Sequence, residues 1–311
     1  MPWMNVVEPG FLTTVQDLGR FGFAHLGVSP CGAADSVSLR VGNRLAGNAE
    51  SAAALEMTLA GGKFRFEQET VIALTGSEFG TMLDGQPVQM WTAIRAKEGA
   101  ELHVGHARGG ARCYLCVGGG IVVEEILGSS STDLRAGFGG FNGRALRRGD
   151  RLSLGSPTGP PLSVEPREFH GFSGGSTLRV TRGPQAHMFS PDALRRLCAA
   201  EYRVRDDSNR LGVRLSGEPI RELTREQLLT EGVSLGAVQI PPDGQPILLF
   251  VDQQTTGGYP KLANVILADL PKLGQLAPRN SVRFAEVDLA PAHAALRYRE
   301  ARLSAVLGAG A

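Results

Sequence analysis

Cysteine is scarce in this sequence, and long hydrophobic runs are missing. The four cysteines, Cys31, Cys113, Cys116 and Cys198, are scattered through 311 residues and do not form the dense framework of a small disulfide-stapled domain. We therefore expect free thiols. No window reaches the ~18 apolar residues of a membrane-spanning helix, and the first residues lack a charged and then hydrophobic leader. The sequence thus predicts a cytoplasmic protein with no membrane partner.

An excess of charge of one sign is also missing. Lysine and arginine together number 32, against 31 aspartates and glutamates, for a formal net charge of +1. Binding to nucleic acid or to an anionic membrane draws on concentrated positive charge, so we expect neither partner. The chain length favours two domains at roughly 100–200 residues each. Small molecules or proteins are the expected ligands.

Several common catalytic signatures are missing as well. The sequence has no Gly-x-x-x-x-Gly-Lys-Ser/Thr phosphate loop, no Gly-x-Ser-x-Gly elbow and no His-Glu-x-x-His zinc helix. The pairs Cys113/Cys116 and His103/His106 have motif-like spacing, but each lies in a predicted strand. Residues three apart in a strand point to opposite faces, so we expect no metal or redox site there.

Glycine is abundant, at 41 residues, and separates short apolar runs in the manner of turns in a β-rich fold. Asp84-Gly85 and Asp243-Gly244 each lie between such runs and predict tight hairpin turns. The strands that we predict are 63–68, 70–75, 88–96, 101–107, 112–117, 177–182, 212–215, 237–240, 246–252 and 281–287.

Four segments show helical signals. Asp35 is a predicted cap for a helix that ends at Gly47, and Ser190-Pro191 begins a second. Apolar residues at helical spacing predict a third helix over 262–276, interrupted by Pro271, and a fourth over 291–307.

Proline and glycine are concentrated in Ser156 to Arg167, and this composition predicts a linker. We accordingly predict an N-terminal domain over 1–158 and a C-terminal domain over 168–311 that includes the last helix. The tetrapeptide Asp-Gly-Gln-Pro occurs at 84–87 and again at 243–246. It is compatible with two related halves and equally with shared turn chemistry.

Two segments are denser in polar side chains and glycines than packing requires. One runs from Pro9 to Arg20 and continues through Gly27 to Asn48, and the other runs from Asp252 to Lys261. The second lies between an apolar strand and a predicted helix, an arrangement that can present several backbone N–H groups to an anion or a carbonyl. The same threonines and glycines can also serve only to shape a turn. From the chemistry alone, a site and a purely structural role carry equal weight.

These two segments resemble the signatures of one family. Pro-Gly-x-x-Thr-Thr-Val-Gln-Asp-Leu-Gly-Arg at 9–20 and Asp-x-Gln-Thr-Thr-Gly-Gly-Tyr-Pro-Lys at 252–261 are similar to motifs of the allophanate hydrolase subunit 2 family, also called the biotin-dependent carboxyltransferase-like family. The resemblance extends over roughly residues 6 to 287. Further matching motifs are 27–48, 55–58, 128–132, 146–150, 183–185, 208–215 and 231–232.

The chain departs from the family pattern at a few positions. Cys31 stands where a serine is usual, and Leu211 and Val213 replace a methionine and a tyrosine. A Pro-Arg-Asn sequence at 278–280 replaces a Pro-Gly turn. None of these changes removes a charged motif residue.

The resemblance implies a mainly β fold with two cyclophilin-like β-barrel domains and a few packed helices. It implies a subunit of an ATP-dependent 5-oxoprolinase, which opens 5-oxo-L-proline to L-glutamate together with a KipI-like subunit and a LamB/YcsF-like subunit. ATP with magnesium is then a cofactor of the complex. Two alternatives stay open: a carboxyltransferase component of a biotin-dependent urea or allophanate pathway, and a non-catalytic KipA-like regulator that binds a KipI-like kinase inhibitor.

The activity implied by the resemblance needs groups that hold a carboxylate, donate to developing negative charge and move a proton. Arginine suits a carboxylate or phosphate, and aspartate or glutamate suits a base or a magnesium ligand. Each aspartate is alternatively a cap or a buried turn residue. The expected catalytic residues are Asp17, Arg20, Asp35, Glu56, Arg210 and Asp252. The expected substrate-binding residues are Asn209, Gln254, Thr255, Thr256, Gly257, Gly258, Tyr259 and Lys261. We further expect Asp17, Arg20 and Arg210 to share one pocket with the 252–261 loop.

Overall fold

The computed structural model describes residues 2–162, 175–223 and 228–308. The chain divides into two compact units. The first contains Met1–Arg20, Cys31–Phe172 and Leu303–Ala311, and the second contains Phe21–Pro30 and Ser173–Arg302. Among the described residues, no helix is long and apolar enough to cross a membrane.

The first unit is built from two antiparallel sheets. A seven-stranded sheet has the order β11-β12-β1-β4-β9-β6-β7, and a five-stranded sheet has the order β2-β3-β10-β5-β8. The strands are Trp3–Glu8 (β1), Leu12–Gln16 (β2), Ala54–Thr58 (β3), Lys63–Phe66 (β4), Thr70–Glu78 (β5), Thr81–Leu83 (β6), Gln86–Pro87 (β7), Ala93–Ala96 (β8), Glu101–Val104 (β9), Arg108–Val117 (β10), Ile121–Val122 (β11) and Arg151–Leu154 (β12).

Apolar side chains from both sheets form one core. Met4 and Phe64 from the larger sheet are fully buried in the same cluster as Leu55 and Leu115 from the smaller sheet. Because alternate residues of a strand face opposite sides, each sheet directs one set of side chains into this core. The inner faces of the two sheets therefore pack against each other.

Helix α1 (Ser36–Leu45) covers the other face of the five-stranded sheet. It begins as predicted, because the Asp35 carboxylate accepts a hydrogen bond from the Ser38 N–H at 3.0 Å. Cys116 belongs to this second cluster, whereas Cys113 belongs to the core between the sheets. The expectation that these two thiols face opposite sides of a strand is confirmed. Both are free, and burial raises the pKa of each.

Gly42 marks the closest approach of α1 to the sheet. A Cβ atom at this position would lie 2.7 Å from Cys116 Sγ and 2.7 Å from Thr75 Oγ1. We expect Gly42→Ala to lower the free energy of unfolding by about 1–3 kcal/mol through overpacking, although alanine is the better helix former. Chemical denaturation measures the change. Gly308→Ala, in a helix where the added Cβ meets no atom within 4 Å, is the control and is expected to destabilise nothing.

The second unit contains a closed seven-stranded barrel of order β13-β20-β17-β18-β15-β14-β21. It closes where β13 pairs in parallel with β21, and its other pairings are antiparallel. The strands of the unit, including a separate β16-β19 pair, are Gly175–Arg182 (β13), Tyr202–Val204 (β14), Gly212–Ser216 (β15), Glu231–Gly232 (β16), Ala237–Gln239 (β17), Ile247–Leu249 (β18), Thr256–Gly257 (β19), Lys261–Val265 (β20) and Ser281–Glu286 (β21). The predicted mainly β fold is confirmed.

Three further helices are Ala193–Ala199 (α2), Leu270–Gly274 (α3) and Leu289–Gly308 (α4). The predicted second and fourth helices are thus present. In α4, Ala292 packs in a small cluster of the second unit with Ile266 and Ala268. Leu303 belongs to the α1 cluster of the first unit.

The prediction of a helix over 262–276 was wrong for its first part. Residues Lys261–Val265 form strand β20, and helix starts only at Leu270, after a short 3-10 turn. The strand conformation is set by pairing on both sides, with β13 and with β17. The 252–261 loop therefore leads into a strand and not into the N-terminus of a helix.

The two Asp-Gly pairs form different turns. Asp84 and Gly85 both have positive φ, 48° and 75°, as a two-residue type I′ hairpin between β6 and β7 requires. Between β17 and β18, by contrast, the Gly244 N–H donates to the Pro241 carbonyl at 2.8 Å and only Gly244 has positive φ. Shared sequence at these sites therefore does not give a shared turn.

The predicted linker lies partly outside the described residues, as does the predicted start of the second domain at 168. The described part of this segment contacts the C-terminal end of α1 and the residues just after it. The N–H groups of Thr158 and Gly159 donate to the Gly47 carbonyl, and the Leu162 N–H donates to the Arg44 carbonyl. Backbone hydrogen bonds thus hold 158–162 in place within the first unit.

Candidate functional site

In the first unit, Asp17 lies directly after β2, and its carboxylate binds the turn that contains Ser129, Ser130 and Ser131. Its carboxylate accepts hydrogen bonds from the Gly19 N–H, from the hydroxyls of Ser129 and Ser131, and from the Ser130 N–H, at 2.5–2.7 Å. The 9–20 and 128–132 motifs, far apart in sequence, therefore meet at this one carboxylate. Its contacts are those of a residue that holds a loop.

The Asp17 contacts support a stability prediction. In Asp17→Asn, an amide N–H₂ group replaces one acceptor oxygen among buried donors, which costs about 1–3 kcal/mol of unfolding free energy. Chemical denaturation measures this loss. Asp206→Asn, at an exposed position, is the control and is expected to change stability by less than about 0.5 kcal/mol. Equal stability of the two variants would contradict the loop-holding role.

Arg20 lies beside the same serines and is 2% exposed. Its guanidinium donates to the Ser131 carbonyl and, at 3.4 Å, to the Ile126 carbonyl, and it lies 4.8 Å from the centre of the Phe138 ring. Among the residues that the structure describes, its Nη1 finds no acceptor. Of the residues predicted in the first unit, Arg20 therefore retains a donor that no described residue accepts.

Asp35 and Glu56 belong to a second buried network. Asp35 caps α1, accepting from both the N–H and the hydroxyl of Ser38. Glu56 accepts from the Ala34 N–H at 2.8 Å and from the Tyr114 hydroxyl at 2.7 Å, with Arg112 3.4 Å away. Burial, and then the charge of Glu56, raise the pKa of Tyr114 well above its ordinary value. The network joins the start of α1 to the sheet.

In the second unit, Arg210 and Asp252 form a bidentate ion pair with distances of 2.8 and 2.9 Å. Both residues are about 95% buried, and the Asp252 N–H also donates to the Arg210 carbonyl. Neighbouring Asn209 accepts from the Leu211 N–H at 2.9 Å and so shapes the turn before β15. These contacts fix the first residue of the 252–261 loop.

Lys261 fixes the other end of the loop. It is 3% exposed, and its ammonium group contacts the carboxylate of Glu231, which also accepts from Gln185 Nε2 at 2.8 Å. The hydrogen bond from Lys261 lowers the pKa of Glu231. The matching motifs at 183–185 and 231–232 thus meet around this lysine.

Between these anchors, the loop is held by its backbone. The Val233 N–H donates to the Thr255 carbonyl at 3.0 Å, and Thr256–Gly257 pairs as β19 with β16. The Gln253 carbonyl accepts from the Ser29 hydroxyl at 2.6 Å. Gly258 and Tyr259 are exposed.

A cavity of about 180 Å³, here called the amide cavity, lies beside this loop within the second unit. Three of the predicted binding residues line it: Asn209, Gln254 and Tyr259. Gln239 also lines it and was not predicted, because it stands in the short strand β17 without polar neighbours in sequence. The amide cavity brings together polar groups from three separate stretches of the chain.

The predicted residues thus fall into three groups. Asp17 with Arg20 and Asp35 with Glu56 lie in the first unit, and the 209–210 and 252–261 residues lie in the second. Convergence of Asp17 and Arg20 with the 252–261 loop stays a prediction. In the described parts of the chain, no group of three or more His, Cys, Asp or Glu residues is placed to hold a metal ion.

Comparison with known proteins identifies the family to which the chain belongs. The chain is 39% identical to the C component of 5-oxoprolinase from Escherichia coli K12 over 288 residues, which cover 92% of each chain. It is 37% identical over 305 residues to the corresponding 5-oxoprolinase component of Haemophilus influenzae, covering 97% of each chain.

Among solved structures, the urea carboxylase of Kluyveromyces lactis matches with a TM-score of 0.93 at 32% identity. The match covers 98% of this chain but 29% of that protein. The sequence profile described as carboxyltransferase domain, subdomain A and B, matches residues 26–286. The chain therefore belongs to the carboxyltransferase domain, subdomain A and B, family.

Proposed function

We propose that this chain is the C component of an ATP-dependent 5-oxoprolinase that opens 5-oxo-L-proline to L-glutamate in the cytoplasm. The observation that carries the proposal is similarity along nearly the whole length of two bacterial proteins named as this 5-oxoprolinase component. The shared length matters because the urea amidolyase and urea carboxylase relatives are several times longer than this chain. Neither a short motif nor a single domain of a larger protein accounts for that match.

The reaction sets clear demands on a site. Water forms a bond to the lactam carbonyl carbon, the ring C–N bond breaks, and the nitrogen takes up a proton. Negative charge develops on the carbonyl oxygen, and donors aimed at it lower the barrier. The substrate carboxylate needs a positive partner as well. Gln239, Gln254, Tyr259 and Arg214 line one cavity with these capabilities.

ATP and magnesium belong, in this proposal, to the assembled complex and not to this chain. The four carboxylates predicted as magnesium ligands do not fit that role, because Asp17, Asp35 and Glu56 are already occupied by protein donors and Asp252 by Arg210. The sequence also has no phosphate loop. We therefore assign nucleotide binding to the KipI-like and LamB/YcsF-like partners.

A second function is favoured by one specific observation. The TM-score of 0.93 against the Kluyveromyces lactis urea carboxylase is compatible with biotin-dependent carboxyl transfer to urea. In that case the same cavity would receive an amide substrate, and a biotin-bearing partner would deliver the carboxyl group.

Reconstitution tests the two functions against each other. The chain is purified with its KipI-like and LamB/YcsF-like partners, and ATP-dependent glutamate release from 5-oxo-L-proline is measured. We expect turnover by the three components together and none by this chain alone. Carboxyl transfer to urea from a carboxylated biotin carrier, without glutamate release by the complex, would replace the proposal with the second function.

A further inference from the structure

A cavity of about 470 Å³, here called the Trp91 cavity, lies in the first unit. It is formed by the end of β5, the start of β6, the first residue of β10 and the segment 87–91. Its volume is in the range of small-molecule sites, about 300–1,000 Å³. The function proposed above makes no use of this cavity, because the residues assigned to the lactam line a cavity of the second unit.

The Trp91 cavity lies where β5 extends beyond its neighbour β8. The pairing of β8 with β5 covers residues 70–73, whereas β5 continues to Glu78. Beyond this pairing, the Trp91 N–H donates to the Leu74 carbonyl at 2.6 Å and the Trp91 Nε1 donates to the Gly76 carbonyl at 3.2 Å. The tryptophan therefore satisfies two carbonyls of β5 in place of a strand and closes one side of the cavity.

The segment that carries Trp91 supplies a fixed apolar wall. Trp91 is 4% exposed and has a φ of 63°, a region that bulky residues rarely adopt. Strained residues of this kind are concentrated at ligand sites. Val88 and Met90 line the cavity beside it and are half-buried, so their side chains can contact an apolar group of a ligand.

Two charged side chains in the lining are accessible. The hydroxyls of Ser77 and Thr81 are already used, since they donate to backbone carbonyls at 3.2 and 3.0 Å. Glu78 and Arg108, by contrast, are exposed, and neither side chain forms a hydrogen bond or an ion pair with a residue that the structure describes. Arg108 Nη2 lies 3.9 Å from the place of a Cβ atom on Gly80, which also lines the cavity. A cation and an anion are therefore both available to a ligand.

The positions of these two charges define the ligand that fits. Glu78 and Arg108 are opposite each other on antiparallel strands. Opposed residues have Cβ atoms about 4.5–5.5 Å apart, so the two charges serve one small region. A carboxylate suits the guanidinium and an ammonium group suits the carboxylate. An α-amino acid carries these two groups on the same carbon atom.

We infer that the Trp91 cavity binds an α-amino acid with an apolar side chain. Its carboxylate contacts Arg108, its ammonium group contacts Glu78, and its side chain packs against Val88 and Met90. An acidic side chain does not suit this site, because its carboxylate would lose solvation beside apolar groups and would be repelled by Glu78. This binding is independent of the proposed function.

Titration of the full chain with L-leucine tests binding. The chain contains two tryptophans, Trp3 and Trp91, so its ¹H–¹⁵N spectrum has two indole N–H resonances. Trp3→Phe leaves only the Trp91 resonance and so assigns it. We expect L-leucine to shift the Trp91 resonance along a saturable curve and to leave the Trp3 resonance in place. An unmoved Trp91 resonance up to the solubility limit of L-leucine would overturn the inference.

Substitution of each charge tests the two polar contacts. Arg108→Gln and Glu78→Gln remove the charges at exposed positions, so the fold is expected to stay intact. Each is expected to raise the dissociation constant for L-leucine about 3–10-fold. Arg135→Gln and Glu98→Gln, the same changes at exposed positions of the first unit outside the cavity lining, are the controls and are expected to bind as wild type. Equal dissociation constants in all four variants would overturn the inference.

Analogues of the ligand assign each contact. L-Leucinamide lacks the carboxylate and N-acetyl-L-leucine lacks the ammonium group, and both are expected to bind more weakly than L-leucine. Arg108→Gln is expected to cause no further loss with L-leucinamide, and Glu78→Gln none with N-acetyl-L-leucine. L-Glutamate is expected to leave the Trp91 resonance in place at concentrations at which L-leucine shifts it. Tighter binding of L-glutamate than of L-leucine would overturn the inferred ligand class.

Discussion

Replacing Asp252 with alanine is expected to lower the free energy of unfolding by about 3–5 kcal/mol. The change removes the carboxylate that contacts the Arg210 guanidinium at 2.8 and 2.9 Å. Arg210 is 5% exposed, so its charge would remain buried without this partner. A buried charge that loses its partner is among the most destabilising consequences of a single substitution. Chemical denaturation followed by circular dichroism measures the loss.

An exposed pair in the same unit provides the matched control. Arg205 and Asp207 are 3.0 Å apart, with side chains 41% and 51% exposed, so Asp207→Ala is expected to cost less than about 1 kcal/mol. The double variant Arg210→Met/Asp252→Leu removes both charges and is expected to recover most of the stability lost in Asp252→Ala. Similar losses in Asp252→Ala and Asp207→Ala would show that the buried pair does not hold the loop.

The double variant also tests the predicted catalytic roles of Arg210 and Asp252. If it folds and its complex retains full turnover, both residues are structural. If it folds and turnover is lost, one of the two charges is needed for the reaction. Stability and activity together thus separate two roles that the sequence leaves open.

Local signals in the sequence were sufficient where one residue or one turn decides the structure. The cap at Asp35 predicts the start of α1 correctly, and Val37, Val41 and Leu45, which recur every four residues in the sequence, are buried on one face of the helix. Asp84-Gly85 predicts its turn because both central φ values must be positive. Information within a few residues was enough in both cases.

Prediction failed where pairing across the sheet decides. Leu262 and Val265 fit a helical spacing, yet β20 is a strand because β13 and β17 supply hydrogen bonds on both sides. The second hairpin differs for a local reason: its turn over residues 241–244 has Pro242 at the second position, where the fixed φ of proline suits an ordinary β-turn. A short apolar run does not specify its own partner strands, so local periodicity was insufficient.

The candidate site likewise contains residues that the sequence predicts and residues that only the structure reveals. The 9–20 and 252–261 segments stood out because polar residues and glycines cluster there in sequence. The partners of Asp17 and Lys261 come from distant stretches and were visible only in three dimensions. Gln239 gave no sequence signal, since a single glutamine at the end of a three-residue strand is ordinary.

Thr255→Ala/Thr256→Ala is expected to reduce turnover of the assembled complex by about 10²-fold or more while leaving the fold intact. The backbone of these residues holds the loop, through the Thr255 carbonyl and the β19 pairing, and truncation at Cβ leaves both contacts in place. Stability is therefore expected to change by less than about 0.5 kcal/mol. We expect the hydroxyls, by contrast, to donate to charge that develops on the lactam oxygen in the assembled complex.

The measurement compares ATP-dependent glutamate release by complexes that contain the double variant, wild type, or Thr177→Ala, an exposed threonine of β13 in the same unit. A drop in kcat with little change in KM is expected, because a group that acts on developing charge contributes to the transition state more than to substrate binding. An equal loss in the Thr177→Ala complex would point to impaired assembly. Wild-type kcat in a folded double variant would leave these threonines with a structural role alone, and the donors to the lactam oxygen would then have to come from the glutamine amides beside them.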